Sequence, residues 1–242
     1  MLATAAAAFL AATSPGLSGF TPDTNRAEAW AQHRRGVVTF AVRTDDRLWG
    51  RGMDRQAPSA STLKAILLVT HLRAARNRAL TSKDRAILAP MIRRSANDPA
   101  SLLVSKYGAK RIVAVARAGG MYSFKLNSPW GNSVVTARDL TRFALRMEQL
   151  MPARHRAYGM HLLSTITRSQ RWGAAREVPA GWTIYFKSGW GSGTGRVDHQ
   201  MALLERGTER LTVAILTTDQ GDHAYGKRTL QGVAKRLLYR LD

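Results

Sequence analysis

The chain has 242 residues and is 45% hydrophobic, enough to bury one good core or a core shared by two interleaved lobes. It contains no cysteine, which excludes disulfides, thiolate metal sites, a cysteine nucleophile and a lipidated N-terminal cysteine. The formal net charge of +21 suits solubility and loose adhesion to an anionic cell envelope; no basic block exceeds a pair and no zinc-finger, basic-zipper or aromatic-rich RNA-binding pattern occurs, so no specific nucleic-acid partner is expected.

The first twelve residues are nearly all Ala and Leu, like the apolar stretch of a secretory signal peptide, although no Lys or Arg precedes Arg26. Twelve residues are too few to span a bilayer. Export is expected, to a secreted or cell-wall-associated location, with residues 1–19 left outside the fold.

Thr21-Pro22-Asp23 predicts a capped helix start, running to about Arg35 and ending at Gly36. Residues 36–43 alternate and are rich in β-branched side chains, which predicts a strand. Asp45-Asp46 turns the chain, and residues 47–53 return as the second strand of a hairpin. Pro58 and Ser59 break the chain before a strongly apolar helix over 61–76. From there to about Trp172 the pattern is helical. Ser82 is expected to cap a helix to Arg94, Asp98-Pro99 to open another that ends at Gly119-Gly120, and Thr136 to cap one to about Met151. Residues 121–135 read as a loop. The period returns to two after Gly181, giving strands at 182–188, 197–204 and 211–217 with a glycine-rich turn over 189–195. An amphipathic helix over 225–241 closes the chain.

Two strands, a helical block and three more strands form one five-stranded antiparallel sheet only if the helical block is an insertion. The expected class is α+β, with N- and C-terminal helices flanking the sheet. The expected division is 20–60 with 177–242 as an α/β lobe and 61–176 as an inserted all-α lobe, together making one catalytic unit.

Three short motifs carry chemistry. In Ser61-Thr62-Leu63-Lys64, helical spacing puts Lys64 beside the Ser61 hydroxyl. A serine needs a base to become nucleophilic, and a buried lysine with a depressed pKa can be one. Taken alone, the pair reads more readily as a capping serine and an ordinary surface lysine. Ser95-Ala96-Asn97 sits between two helices, where Ser and Asn are also ordinary turn residues. Lys187-Ser188-Gly189 ends a strand before a glycine run; an edge strand there can bind an extended acyl substrate, and the run fits no phosphate loop. No His spacing suits a metal, and no G-x-S-x-G elbow occurs.

In this order and setting, the three motifs resemble the S-x-x-K, S-D-N and K-T-G trio of the penicillin-recognising serine hydrolases, with class A β-lactamases the most similar group. The resemblance runs over nearly all the chain from Gly36. It implies the β-lactamase/transpeptidase-like fold and a catalytic cleft between the lobes. It implies Ser61 as nucleophile, Lys64 as acylation base and Ser95 as proton relay. Asn97 would hold the substrate amide, and Lys187 and Ser188 its carboxylate. Gly189 would allow close backbone approach, and the Trp190 amide would join that of Ser61 in an oxyanion hole. No cofactor or metal is implied. The expected partner is a small-molecule substrate, a β-lactam or a peptidoglycan-type peptide, bound by a monomer. Alternatives on the same fold are a D-alanyl-D-alanine peptidase or esterase, and a catalytically weak module that binds wall fragments or β-lactams.

The sequence departs from the family in three places. Ala96 replaces the middle Asp, Ser188 replaces Thr, and the loop 121–135 has no Asp or Glu where class A β-lactamases carry the glutamate that activates the deacylating water. Asp98, Asp139 and Glu148 are the nearest acids in sequence, on a helix cap and a separate helix. Acylation is therefore expected, with slow deacylation.

Overall fold

The computed structural model describes Leu17, residues 19–191 and residues 196–241. The apolar leader lies outside the described residues, as does the middle of the glycine run. Leu17 packs against the core and its carbonyl accepts from the Phe20 amide, so the fold reaches further towards the N-terminus than the expected start at residue 20.

The elements follow the expected order. Helix α1 (Thr24–Gln32) precedes β1 (Val37–Arg43) and β2 (Leu48–Arg51). A short strand β3 (Ala57–Pro58) and a 3₁₀ turn (Ala60–Thr62) lead into α2 (Leu63–Ala74). Then come α3 (Ser82–Arg93), α4 (Asn97–Ala118), β4 (Val134–Val135), α5 (Ala137–Leu150) and α6 (Ala153–Ser164). Strands β5 (Thr183–Gly191), β6 (Val197–Arg206) and β7 (Glu209–Thr218) and helix α7 (His223–Leu237) complete the chain. The sheet is antiparallel throughout, in the order β2-β1-β7-β6-β5, so β5 is an edge.

Side-chain alternation sets the two faces of the sheet. On one face Thr212 bonds the Thr141 carbonyl of α5. On the other, Asp198 packs under α7 so closely that a Cβ at Gly226 would lie 2.0 Å from its carboxylate. In β5, Lys187 pairs with Met201 and faces the inserted helices, whereas Ser188 pairs with Gln200 and faces α7. Helix α2 is buried on all sides from Leu63 to Leu72, which makes it the central post of the helical block, with α3, α4, α5 and α6 packed around it. Each of its buried leucines contributes on the order of 1.5–3 kcal/mol from burial.

Several helix starts differ from expectation, for local reasons. Asp23, not Thr21, caps α1, its carboxylate accepting from the Arg26 amide at 2.9 Å, and α1 stops at Gln32. Thr81, not Ser82, caps α3, in a reciprocal box with Asp84. Helix α4 begins at Asn97 after Ala96, with no side-chain cap. Asp98 and Pro99 fall in its first turn, where an acid suits the helix dipole and proline loses no hydrogen bond. The loop 121–135 holds a 3₁₀ turn (Trp130–Asn132) and β4, whose pairing with β3 ties it to the segment before Ser61. Strand β5 runs on through Gly191 rather than turning at Gly189.

Candidate active site

Ser61 is the middle residue of the 3₁₀ turn that opens α2. Ala60 before it has φ 43°, in the left-handed region that costs a residue with a Cβ stability. The turn is held from behind. Thr62 Oγ1 donates to the Ser59 carbonyl at 2.6 Å, and the Ser59 amide donates to the Ser133 carbonyl at 2.6 Å. His199 Nε2 donates to the Pro58 carbonyl at 2.8 Å, while its Nδ1 accepts from the Thr217 amide at 3.0 Å. Burial pushes the His199 pKa down to about 4, so the ring is neutral and this tautomer fits both contacts.

Lys64 lies one turn on, fully buried, with Nζ 2.9 Å from Ser61 Oγ. The same amine is 2.5 Å from the Ser95 carbonyl, 3.2 Å from Ser95 Oγ and 2.8 Å from Asn97 Oδ1. Burial pushes its pKa down to about 7. Neutral Lys64 has two N–H donors and one lone pair. The donors fit Asn97 Oδ1 and the Ser95 carbonyl, which leaves the lone pair for the Ser61 O–H.

Ser95 lies in the tight connection between α3 and α4 at φ 59°, a second left-handed residue with a side chain. The Ala96 amide closes this turn on the Pro90 carbonyl at 3.1 Å. Gln170 Nε2 fixes it from outside by donating to the Arg94 carbonyl at 2.7 Å. Lys187 Nζ, also fully buried, donates to Ser95 Oγ at 3.0 Å and to the Ser188 carbonyl at 2.8 Å. Ser95 Oγ thus accepts from Lys187 and lies 3.2 Å from the Lys64 amine, between the two. Burial, followed by the Lys64 charge, pushes the Lys187 pKa well down. Among the described residues no carboxylate bonds either lysine.

Strand β5 lies against the turn that carries Ser61. A Cβ at Gly189 would fall 2.7 Å from the Ser61 nitrogen, so this position admits no side chain without displacing the turn. Ser188 Oγ accepts from Gln200 Nε2 at 3.0 Å, and Gln200 is held by the Trp172 carbonyl and the Ala174 amide. Trp190 stacks on His223 with centroids 5.4 Å apart and meets the edge of Trp172 at 6.1 Å. His223 Nδ1 donates to buried Asp198 at 2.5 Å.

The loop 121–135 reaches the site through Trp130, whose ring centroid is 5.1 Å from Lys64 Nζ. Its indole nitrogen donates to Ser101 Oγ at 3.0 Å. Two of the nearest acids are occupied elsewhere, and the third, Asp98, is exposed in the first turn of α4. Asp139 accepts from the Ser123 amide at 2.7 Å, and Glu148 pairs with Arg210 at 3.2 Å. The structure therefore brings together Ser61, Lys64, Ser95, Asn97, Lys187 and Gly189, with Ser188 and Trp190 next along the same strand. Trp130, His199 and Gln200 belong to the same assembly, yet no local motif marks them.

The sequence model described as "Beta-lactamase enzyme family" matches residues 85–241. No curated protein matches the sequence. Among solved structures, an ancestral (GNCA) class A β-lactamase superposes with TM-score 0.78 at 16% identity, covering 89% of this chain and 98% of its own. A β-lactamase from Desulfarculus baarsii gives 0.77 at 21% identity, covering 90% of this chain and 96% of its own. A protein named PBP-A gives 0.76 at 16% identity, covering 91% and 97%. Likeness at such low identity shows the fold; the matched sequence model covers well over half the chain, and on that ground the chain belongs to the β-lactamase enzyme family.

Proposed function

We propose that this protein is an exported serine hydrolase that forms an acyl-enzyme on Ser61 with β-lactams or peptidoglycan-type peptides and releases it slowly. The observation that carries this reading is the 2.9 Å contact between Ser61 Oγ and a buried Lys64 whose pKa lies at about 7. Lys64 takes the Ser61 proton as Oγ attacks the substrate carbonyl carbon. The amides of Ser61 and Trp190 stabilise the oxyanion that forms. As the C–N bond breaks, the leaving nitrogen takes the proton of Ser95, which Lys64 replaces through their 3.2 Å contact. Asn97 holds the substrate amide. Lys187 binds the substrate carboxylate, which supplies the counter-charge that the buried amine lacks, while the Ser188 hydroxyl, turned towards α7, must leave Gln200 to join it.

Deacylation needs a base for water. Trp130 stands beside Lys64, and the loop that carries it has no acid. Without a general base this half-reaction loses roughly 10²–10⁴-fold. That observation also favours a second reading, in which the protein is a binding module that is acylated once and holds its ligand. A D-alanyl peptidase or esterase would use the same first half-reaction. The test is labelling with a fluorescent penicillin. Wild type is expected to take the label covalently and Ser61→Ala to stay dark; equal labelling of both would overturn the assignment of Ser61.

A further inference from the structure

We propose that the outer face of α7 is a second binding site, which holds a flexible phosphate-bearing polymer. The inference stands on surface chemistry away from the nucleophile and does not require Ser61 to be acylated. Helix α7 buries Leu230, Val233, Ala234 and Leu237 against the sheet. Its opposite face lines two cavities in a row.

The larger cavity, about 550 Å³, lies between α1 and α7. Arg26, Arg228, Lys235 and Arg236 surround it, and Trp30 and Tyr239 form its aromatic walls. Among the described residues lining it there is no acid. Trp30 packs so tightly on the helix that a Cβ at Gly232 would lie 2.2 Å from its ring. The rings hold guanidiniums in place. Arg236 lies 4.4 Å and Arg34 5.1 Å from the Trp30 centroid, and Arg26 5.6 Å from that of Tyr239. The second cavity, about 270 Å³, shares Arg228 and Gln231 with the first and adds Arg171, Arg176 and Lys227. Its wall includes Trp172, whose edge meets Trp190 beside the candidate active site. Two acids stand at the margin: Glu177 accepts from Gln231 at 2.7 Å, and Asp23 lies 3.9 Å from Arg26.

Charge complementarity requires an anion, and pinned guanidiniums suit phosphate oxygens, which they meet in bidentate fashion with little further loss of side-chain freedom. Two cavities along one helix face point to a chain rather than a single ion. The basic pairs 227–228 and 235–236 are about 12 Å apart at the helical rise. Trp30 offers no open face for base stacking, because guanidiniums and Gly232 already cover it. A membrane surface is disfavoured too, since Tyr239 is the one large hydrophobic side chain of the described residues exposed on this face.

Long-chain polyphosphate carrying a fluorophore is the probe, with binding followed by anisotropy against salt. R228E/K235E/R236E is compared with R73E/R76E/R111E, which alters a separate cavity of about 240 Å³ beside α2 by the same charge. The first variant is expected to bind at least about tenfold more weakly at about 0.1 M salt, with the salt slope reduced by about 2. The second is expected to stay within about threefold of wild type, and both are expected to keep wild-type penicillin labelling. If the Glu variant fails to fold, R228Q/K235Q/R236Q replaces it. Equal weakening by both variants would mean net charge alone, and absence of binding by wild type would end the proposal. Tighter binding of a mixed-sequence oligodeoxynucleotide of equal charge would also overturn it, by showing that bases are read.

Discussion

In the proposed mechanism, Lys64 sets the pH at which Ser61 is acylated. An amine with the ordinary pKa of 10.5 is neutral in only about three molecules in ten thousand at pH 7. With the pKa pushed down to about 7, half of the Lys64 amines are neutral, a gain of about a thousandfold in active base, or about 4 kcal/mol. The single-turnover rate of acylation by a fluorescent penicillin should therefore rise tenfold per pH unit below about 7 and level off above it. Stopped-flow labelling between about pH 5.5 and about pH 9 measures this. Lys64→Arg keeps a cation that does not deprotonate in this range and should lose the reaction at every pH. A flat profile for wild type, or a Lys64→Arg protein that is acylated at the normal rate, would refute the role of Lys64 as base.

Further outcomes follow from the same geometry. The Lys64 pKa is lower folded than unfolded, so between about 7 and 10.5 the unfolded chain binds more protons and stability rises with pH; below that window the full penalty remains. Lys64→Met should thus abolish acylation yet raise stability at pH 7 by roughly 1–3 kcal/mol, net of the hydrogen bonds it removes, as read by urea denaturation. Lys187→Ala should slow acylation by roughly ten- to a hundredfold with the fold intact, because a charge-assisted bond to a bound carboxylate is worth about 1.5–3 kcal/mol; an unchanged rate would remove β5 as the substrate edge. Gly189→Ala should cost acylation at least about tenfold, since the new Cβ would stand 2.7 Å from the Ser61 nitrogen and move the oxyanion donors. Leu67→Ala, in the middle of α2, should cost roughly 2–5 kcal/mol in denaturant titration.

Much of this molecule is legible in its sequence, and the features that are not share a physical cause. Strands at 36–43 and 211–217 are readable from their β-branched and apolar runs, which the structure buries on both faces of the sheet, and α2 because it is apolar all round. The three motifs point to Ser61, Lys64, Ser95, Asn97 and Lys187 through their resemblance to the family's trio; the first two sit at helix starts, the third inside β5. Helix starts shift by a residue or two because Thr21, Asp23, Thr81 and Ser82 are all competent caps, and only the backbone path decides which oxygen meets a free amide. Strands β3 and β4 have two residues each, too short for any period to show. Trp130, His199 and Gln200 act on the site through contacts with Lys64, Pro58 and Ser188, at sequence separations that no local window spans.

Intact-protein mass spectrometry after mixing with a penicillin tests the central claim most directly. A single adduct, mapped to Ser61 and persisting long after the free drug is removed, is predicted, because the proposed mechanism acylates Ser61 with Lys64 as base while the loop facing them offers Trp130 in place of an acid. Rapid drug turnover with no adduct at any time, or an adduct mapped to another residue, would contradict it.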